Sequence, residues 1–239
     1  DIAQRLEPAM QEHDGVEWAF YATGYGVDVK LRQGSGEKTS DSALVDAFDA
    51  ACAAVRAALG PYIYTEEPGV PLGEIVRRLL TERGRTLAVA ESCTGGLLGG
   101  RITAVSGSSA YFTGGFVTYA DAAKRDWLGV SEDLLERHGA VSAQVATAMA
   151  RGARERAGTD SAIAITGVAG PTGGTPEKPV GLVYLAFCTA DGCWTRRLQL
   201  GKRRAFIREL STQLALEMVR RHELGLRVGE PVDSGPAAP

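Results

Sequence analysis

Apolar and polar positions divide the chain into two patterned regions. In the first, Val16-Glu-Trp-Ala-Phe-Tyr-Ala reads as a strand and Gly24 to Gly26 as a turn. Val27-Asp-Val-Lys-Leu-Arg then alternates as a half-exposed strand does. Gly34-Ser-Gly is a loop, and Asp41 is placed to cap a helix carrying Leu44, Val45, Phe48, Cys52 and Val55 on one face. Gly60-Pro61 stops that helix, and Tyr62-Ile-Tyr reads as a short closing strand. Residues 1–65 are therefore expected to form a small α/β unit. The segment Thr65-Glu-Glu-Pro-Gly-Val-Pro supplies the linker, placed at 66–72.

The second region, 73–224, opens with a helix bearing Leu72, Ile75, Val76, Leu79 and Leu80 that ends at Gly84. Leu87-Ala-Val-Ala follows as a buried strand. Helix and strand alternate from there, with apolar strands at Gly115-Phe-Val-Thr-Tyr, Ser161-Ala-Ile-Ala-Ile and Gly181-Leu-Val-Tyr-Leu-Ala-Phe, and a last helix from about Lys202 to Leu224. Continuous apolar strands between helices imply a sheet covered on both faces, an α/β fold of the three-layer α/β/α sandwich type. The remainder, 225–239, ends in a segment rich in Pro, Gly and Ala and is expected to be disordered.

Composition narrows the function classes. The chain has 239 residues with 26 basic and 29 acidic side chains, a net charge of -3, which gives no global argument for nucleic-acid or membrane binding. Cys52, Cys93, Cys188 and Cys193 are scattered without a CxxC pair, and the histidines are His13, His138 and His222. A zinc site needs clustered soft ligands, so no metal is expected and the thiols are expected to be reduced, as in a cytoplasmic protein. No apolar run matches a membrane span and no signal peptide is visible. The chain opens on Asp1 rather than Met, as expected of one lacking its natural N-terminal part.

Three segments could carry chemistry. Ala90-Glu-Ser-Cys-Thr-Gly-Gly-Leu follows a buried strand and precedes a helical stretch. Backbone N–H groups at such a turn suit a phosphate or a developing oxyanion, with Ser92 facing the mouth of the sheet. Equally, Ser92 or Thr94 could simply cap the helix. In Gly115-Phe-Val-Thr-Tyr-Ala-Asp-Ala-Ala-Lys-Arg, Tyr119 and Lys124 stand five residues apart across a strand end and a helix start. A serine needs a base to become a nucleophile, and a partly desolvated lysine can serve. With so few histidines, a Ser-Lys arrangement with Tyr119 as relay fits better than a Ser-His-Asp triad, although Lys124 could also be an ordinary surface cation. The third segment, Ile165-Thr-Gly-Val-Ala-Gly-Pro-Thr-Gly-Gly-Thr-Pro-Glu-Lys-Pro-Val-Gly, lacks the spacing of a phosphate-binding Walker loop. It is long and rich in breakers for a mere connection, and Thr166 leaves its strand on the same sheet edge as Ser92. Near the last helix, Arg196, Arg197, Lys202, Arg203, Arg204 and Arg208 form either a solvated face or an approach to an anionic ligand.

At these segments the chain resembles the CinA C-terminal family of nicotinamide mononucleotide deamidases, over about residues 70–222. The runs AESCTGG, GGFVTYADAAKRDWLGV with HGAVS after it, and ITGVAGPTGGTPEKPVG carry the resemblance. Residues 1–65 resemble the small KH-type domain that precedes this module in longer CinA proteins, but no GXXG loop is present, so an architectural role is expected rather than RNA binding. Longer CinA proteins carry a further N-terminal domain linked to ADP-ribose pyrophosphatase activity, and that activity is not expected of residues 1–239.

The resemblance implies conversion of nicotinamide mononucleotide to nicotinate mononucleotide plus ammonia, without a cofactor. It implies Ser92 as nucleophile, with Tyr119 and Lys124 as its activating partners. Thr166 and Arg203 are implied as further active-site positions; many relatives carry Asp where this chain has Lys202, and with Arg204 also adjacent the local register stays open. Substrate contacts are expected from Thr94, Gly95 and Gly96 at the first turn, where amides near Cys93 to Gly96 would receive the oxyanion. Others are expected from Gly167, Gly170, Gly173 and Gly174 of the glycine loop, which with Arg203 would receive the phosphate. Cys93 is expected to pack rather than react. A homo-oligomer, by similarity a dimer, is expected, with no membrane or direct nucleic-acid partner. The competing reading is a nucleotide-binding or protein-interaction module of the competence and DNA-damage response without turnover.

Overall fold

The computed structural model of the chain describes residues 2–33 and 41–232, with the side chains of 41–44 outside that description. The chain divides into two compact units, Asp1–Pro68 and Gly69–Pro239.

In the first unit, helix α1 (Ile2–Glu12) precedes an antiparallel hairpin of β1 (Val16–Ala22) and β2 (Val27–Gln33), and α2 (Asp41–Leu59) closes it. Its core is small: Leu6, Ala9, Val16, Ala51 and Leu59 are buried. Of the expected apolar face of α2, Phe48, Cys52 and Val55 are half-buried while Val45 is 47% exposed, and the fully buried positions are Ala51 and Leu59. Asp41 is the first helical residue, while its capping role, Leu44 and the Gly34–Gly36 loop lie outside the described residues and side chains. The predicted strand Tyr62–Tyr64 is not formed. Gly60, at φ +40°, instead tightens the end of α2 into a 3₁₀ turn over Gly60–Tyr62.

The second unit is a six-stranded mixed sheet between two helical layers. Its strands are β3 (Leu87–Glu91), β4 (Phe112–Val117), β5 (Ser161–Gly167), β6 (Leu182–Cys188), β7 (Cys193–Gln199) and β8 (Glu230–Val232), in the order β4-β3-β5-β6-β7-β8. β4, β3 and β5 are parallel; β5 through β8 pair antiparallel. Alternate residues of a strand face opposite layers. Ala88, Ala90, Ala162, Ala164, Ala186 and Cys188 share a core cluster with Val145, Ala146, Met149, Ala150 and Ala153 of α7 (Ala143–Ala157). The larger Leu87, Val89, Ile163, Ile165, Leu185 and Phe187 alternate with them and are likewise buried. The layer opposite α7 contains α3 (Leu72–Glu82), α4 (Leu97–Thr103) and α8 (Arg204–Glu223), with α8 packed on α3 and α4 and on β5 and β6. Beside α7 lie α5 (Asp121–Leu128) and α6 (Glu132–His138). A Cβ at Gly152 would collide with the Leu128 carbonyl, so that glycine lets the end of α5 press against α7.

Three expectations are corrected by this layout. β7 occupies the segment holding Arg196 and Arg197, which therefore stand on a strand rather than at the start of the last helix. β8 pairs Cys193, Trp194 and Thr195 with Val232, Pro231 and Glu230, so part of the expected disordered tail completes the sheet edge; residues 233–239 lie outside the described residues. Cys188 and Cys193 are not separate thiols: the β6–β7 register sets them opposite one another, Cα–Cα 4.2 Å, in a disulfide. Five residues of separation hid a pairing that only the hairpin register creates. No helix among the described residues is long and apolar enough to cross a membrane.

Candidate functional site

The carboxyl end of β3 is tied to both parallel neighbours. Ser92 N donates to Ile165 O at 2.9 Å, and Thr118 N donates to Glu91 O at 2.8 Å. The chain then turns through Gly95 and Gly96, at φ +58° and +92°, where L side chains would be strained. Neither Ser92 nor Thr94 caps α4. Gly96 occupies the cap position without a side chain to offer, and the buried Glu91 carboxylate takes over. It accepts from Gly96 N (3.1 Å), Leu98 N (3.0 Å) and Gly99 N (2.8 Å). A carboxylate at the positive end of α4 is thus built into the fold. The consequence for the expected oxyanion site is direct, since Gly95 N donates to Ser92 O and Gly96 N to Glu91. Of the turn's amides, those of Cys93 and Thr94 remain without such a bond among the described residues. On the far side Arg208 Nη2 donates to Thr94 O at 2.7 Å, bracing the turn from α8.

Lys124, in the first turn of α5, is only 1% exposed. Its Nζ donates to Asp121 Oδ1 at 3.0 Å and to the Tyr119 carbonyl at 3.3 Å. Tyr119 therefore holds the lysine through its backbone. Its ring, expected to relay a proton, is 63% exposed, because β4 ends at Val117 and Tyr119 falls on the turn that leads out to α5. Asp121 was not singled out in the sequence, where it reads as an ordinary acidic residue at a helix start.

Thr166, at the end of β5, is buried and donates from Oγ1 to the Ala140 carbonyl at 2.8 Å. Lys178 Nζ reaches back from the glycine-proline loop to the His138 carbonyl at 2.5 Å. These two bonds clasp the segment between α6 and α7 to the loop after β5. Arg204, the first residue of α8, donates from Nη1 to Gly170 O at 2.8 Å.

These elements surround one cleft of about 290 Å³. Ser92, Tyr119 and Lys124 line it, as do Thr166, Gly167, Gly170 and Gly173. Asp121, Ala140 and Arg204 complete its polar rim and wall. Thr94, Gly95, Gly96, Gly174 and Arg203 are not on its lining. Arg203 precedes α8 and lays its guanidinium over the Phe206 ring, 5.9 Å from the centroid. Of these two adjacent arginines it is Arg204 that lines the cleft, and the difference is one step around the helix start. Cys93 borders the cleft but its thiol is held up at about 12 by burial, which leaves it protonated at neutral pH.

A serine, a buried lysine and a glycine-rich loop converge at the carboxyl ends of parallel strands, where open α/β sheets carry small-molecule sites. The chain belongs to the CinA family: residues 70–222 match the CinA C-terminal domain. It is similar to a CinA-like protein of Geotalea uraniireducens, 43% identical over 234 residues, 98% of this chain and 54% of that protein. Of solved structures, the competence/damage inducible protein CihA from Agrobacterium tumefaciens is 45% identical with a TM-score of 0.61, covering 62% of this chain and 91% of that one. A CinA-superfamily protein from Klebsiella pneumoniae is 34% identical, TM-score 0.63, over 64% and 96% of the respective chains. The chain spans about half the length of the curated relatives it matches.

Proposed function

We propose that this chain hydrolyses the carboxamide of nicotinamide mononucleotide to nicotinate mononucleotide and ammonia, in NAD recycling, with Ser92 as nucleophile. The observation that carries the proposal is the presence of Ser92 and the buried Lys124 on one cleft. Ser92 Oγ attacks the carboxamide carbon while Lys124 receives its proton, and the oxyanion forms near the Cys93 and Thr94 amides. The C–N bond then breaks, ammonia leaves with the proton, and water hydrolyses the ester to the carboxylate. Asp121 offsets the charge that Lys124 acquires with the proton, so the wall beside Ser92 does not repel a pyridinium ring. Arg204 and the amides around Gly170 and Gly173 offer the phosphate a cation and donors.

The experiment is a coupled ammonia assay on the purified chain. Ser92→Ala is expected to lower kcat on the order of 10³-fold or more. Retention of wild-type kcat would remove Ser92 from the mechanism. Tight calorimetric binding of the mononucleotide with no ammonia would leave a binding module in place of an enzyme.

A further inference from the structure

Lys124 is an expensive residue for its position. Removing an ammonium from water is costly even after relaxation, and a cation in the first turn of a helix opposes the helix dipole. Its side chain is 1% exposed, whereas that of its ion-pair partner Asp121 is 60% exposed. In the neutral form that can take a proton from Ser92, the amine has three hydrogen-bonding positions, two N–H donors and one lone pair, on a flexible four-carbon stem. Here two of the three go to Asp121 Oδ1 and the Tyr119 carbonyl, three and five residues back along the same segment. The lone pair is then left over, and Lys124 lines the same cleft as Ser92.

From this geometry we infer that Asp121 is a positioning residue: its carboxylate fixes the torsions of Lys124 so that Nζ keeps its remaining position on the cleft side, toward Ser92. The inference rests on the reading of Ser92 as nucleophile. The Tyr119 carbonyl alone leaves Nζ free to rotate about that contact; a second acceptor at the first residue of α5 removes the freedom. Asp121 is also the first residue of α5, where an acid is favoured by the helix dipole whatever its neighbours do. A test must separate the two roles.

A fluorophosphonate probe does so without the nucleotide. It forms an Oγ–P bond at Ser92, the P–F bond breaks, fluoride leaves, and the serine proton passes to the base. Labelling rate therefore reads activation of Ser92 directly. Asp121→Ala is expected to slow labelling, and kcat for ammonia release, on the order of 10- to 100-fold with KM within about two-fold. Asp121→Asn keeps an oxygen acceptor for Nζ and is expected to recover part of the loss. Asp126→Asn, an acid of the same helix bonded to Arg125, controls for charge and is expected to label as wild type. Labelling is measured well below the melting temperature of each variant, so loss of stability in Asp121→Ala does not enter. Wild-type or faster labelling of Asp121→Ala overturns the inference, and so does Asp121→Asn slowed as far as Asp121→Ala. Labelling of the wild type at Ser92 without ammonia release sinks the substrate reading alone, whereas absence of Ser92 labelling overturns both.

Discussion

Two glycine-rich turns leave the sheet side by side, one after β3 and one after β5, and they look alike in sequence. The first is filled from within: Glu91 takes three amides at the start of α4. The second faces the cleft with Gly167, Gly170 and Gly173 and is held at both ends of its reach, by its own Lys178 bonded to the His138 carbonyl and by Arg204 arriving from α8. Glycines at a strand end permit an anion site, but a neighbouring carboxylate decides whether the protein fills the site itself. One turn therefore presents Ser92, and the other is free to hold substrate.

Removing the internal anion breaks the contrast most severely. Glu91→Ala leaves three donors without their acceptor and is expected to cost about 3 kcal/mol. Thermal denaturation should register a fall of roughly 10 °C, with Glu91→Gln losing less; an unchanged melting temperature would mean that the turn does not depend on the carboxylate. Next is Gly170→Ala, expected to cost about 2 kcal/mol because φ is +73° and the new Cβ would lie 2.5 Å from Val180 Cγ1. Gly173→Ala, at φ +83° with nothing within 4 Å, should cost about 1 kcal/mol. Equal losses in urea denaturation would show that loop packing plays no part. Arg204→Ala is expected to raise KM about ten-fold, the loss of one charged contact, with Arg203→Ala near wild type; the opposite ranking would reverse the assignment at the start of α8. The smallest effect concerns Cys93, whose raised pKa and burial predict no alkylation by iodoacetamide at pH 8. Peptide mass spectrometry, which separates Cys93 from the other free thiol at Cys52, would detect a modified Cys93 and so a turn that opens.

The sequence exposes most of the second unit because β3, β5 and β6 are apolar along nearly their whole length, a signal that needs no partner to be read. β7 escapes it: Arg196 and Arg197 interrupt the apolar pattern, and β8 is a Glu-Pro-Val tripeptide with no pattern at all. Both exist because a neighbouring strand supplies the hydrogen bonds. Ser92 and Thr166 are legible for a shared reason, since each stands at or just beyond the end of an apolar strand, and Lys124 is legible through its spacing from Tyr119 across the start of α5. Glu91 is not, because its role depends on α4 beginning six residues later. Arg203 and Arg204 differ by about 100° around a helix, and only the helix start decides which of them faces the cleft. Asp121 belongs to the same class, being unremarkable until Lys124 is found buried against it.

The alanines beneath α7 have a bearing beyond the core. They set the gap between helix and sheet at the thickness of a methyl group, and α7 begins just after Ala140 and Val141, which wall the cleft. That makes the interior a spacer for the mouth. Enlarging Ala90 or Ala164 by a methyl or two would lift the helix and carry the cleft wall with it, so the aperture available to a ligand is regulated by residues no ligand ever meets.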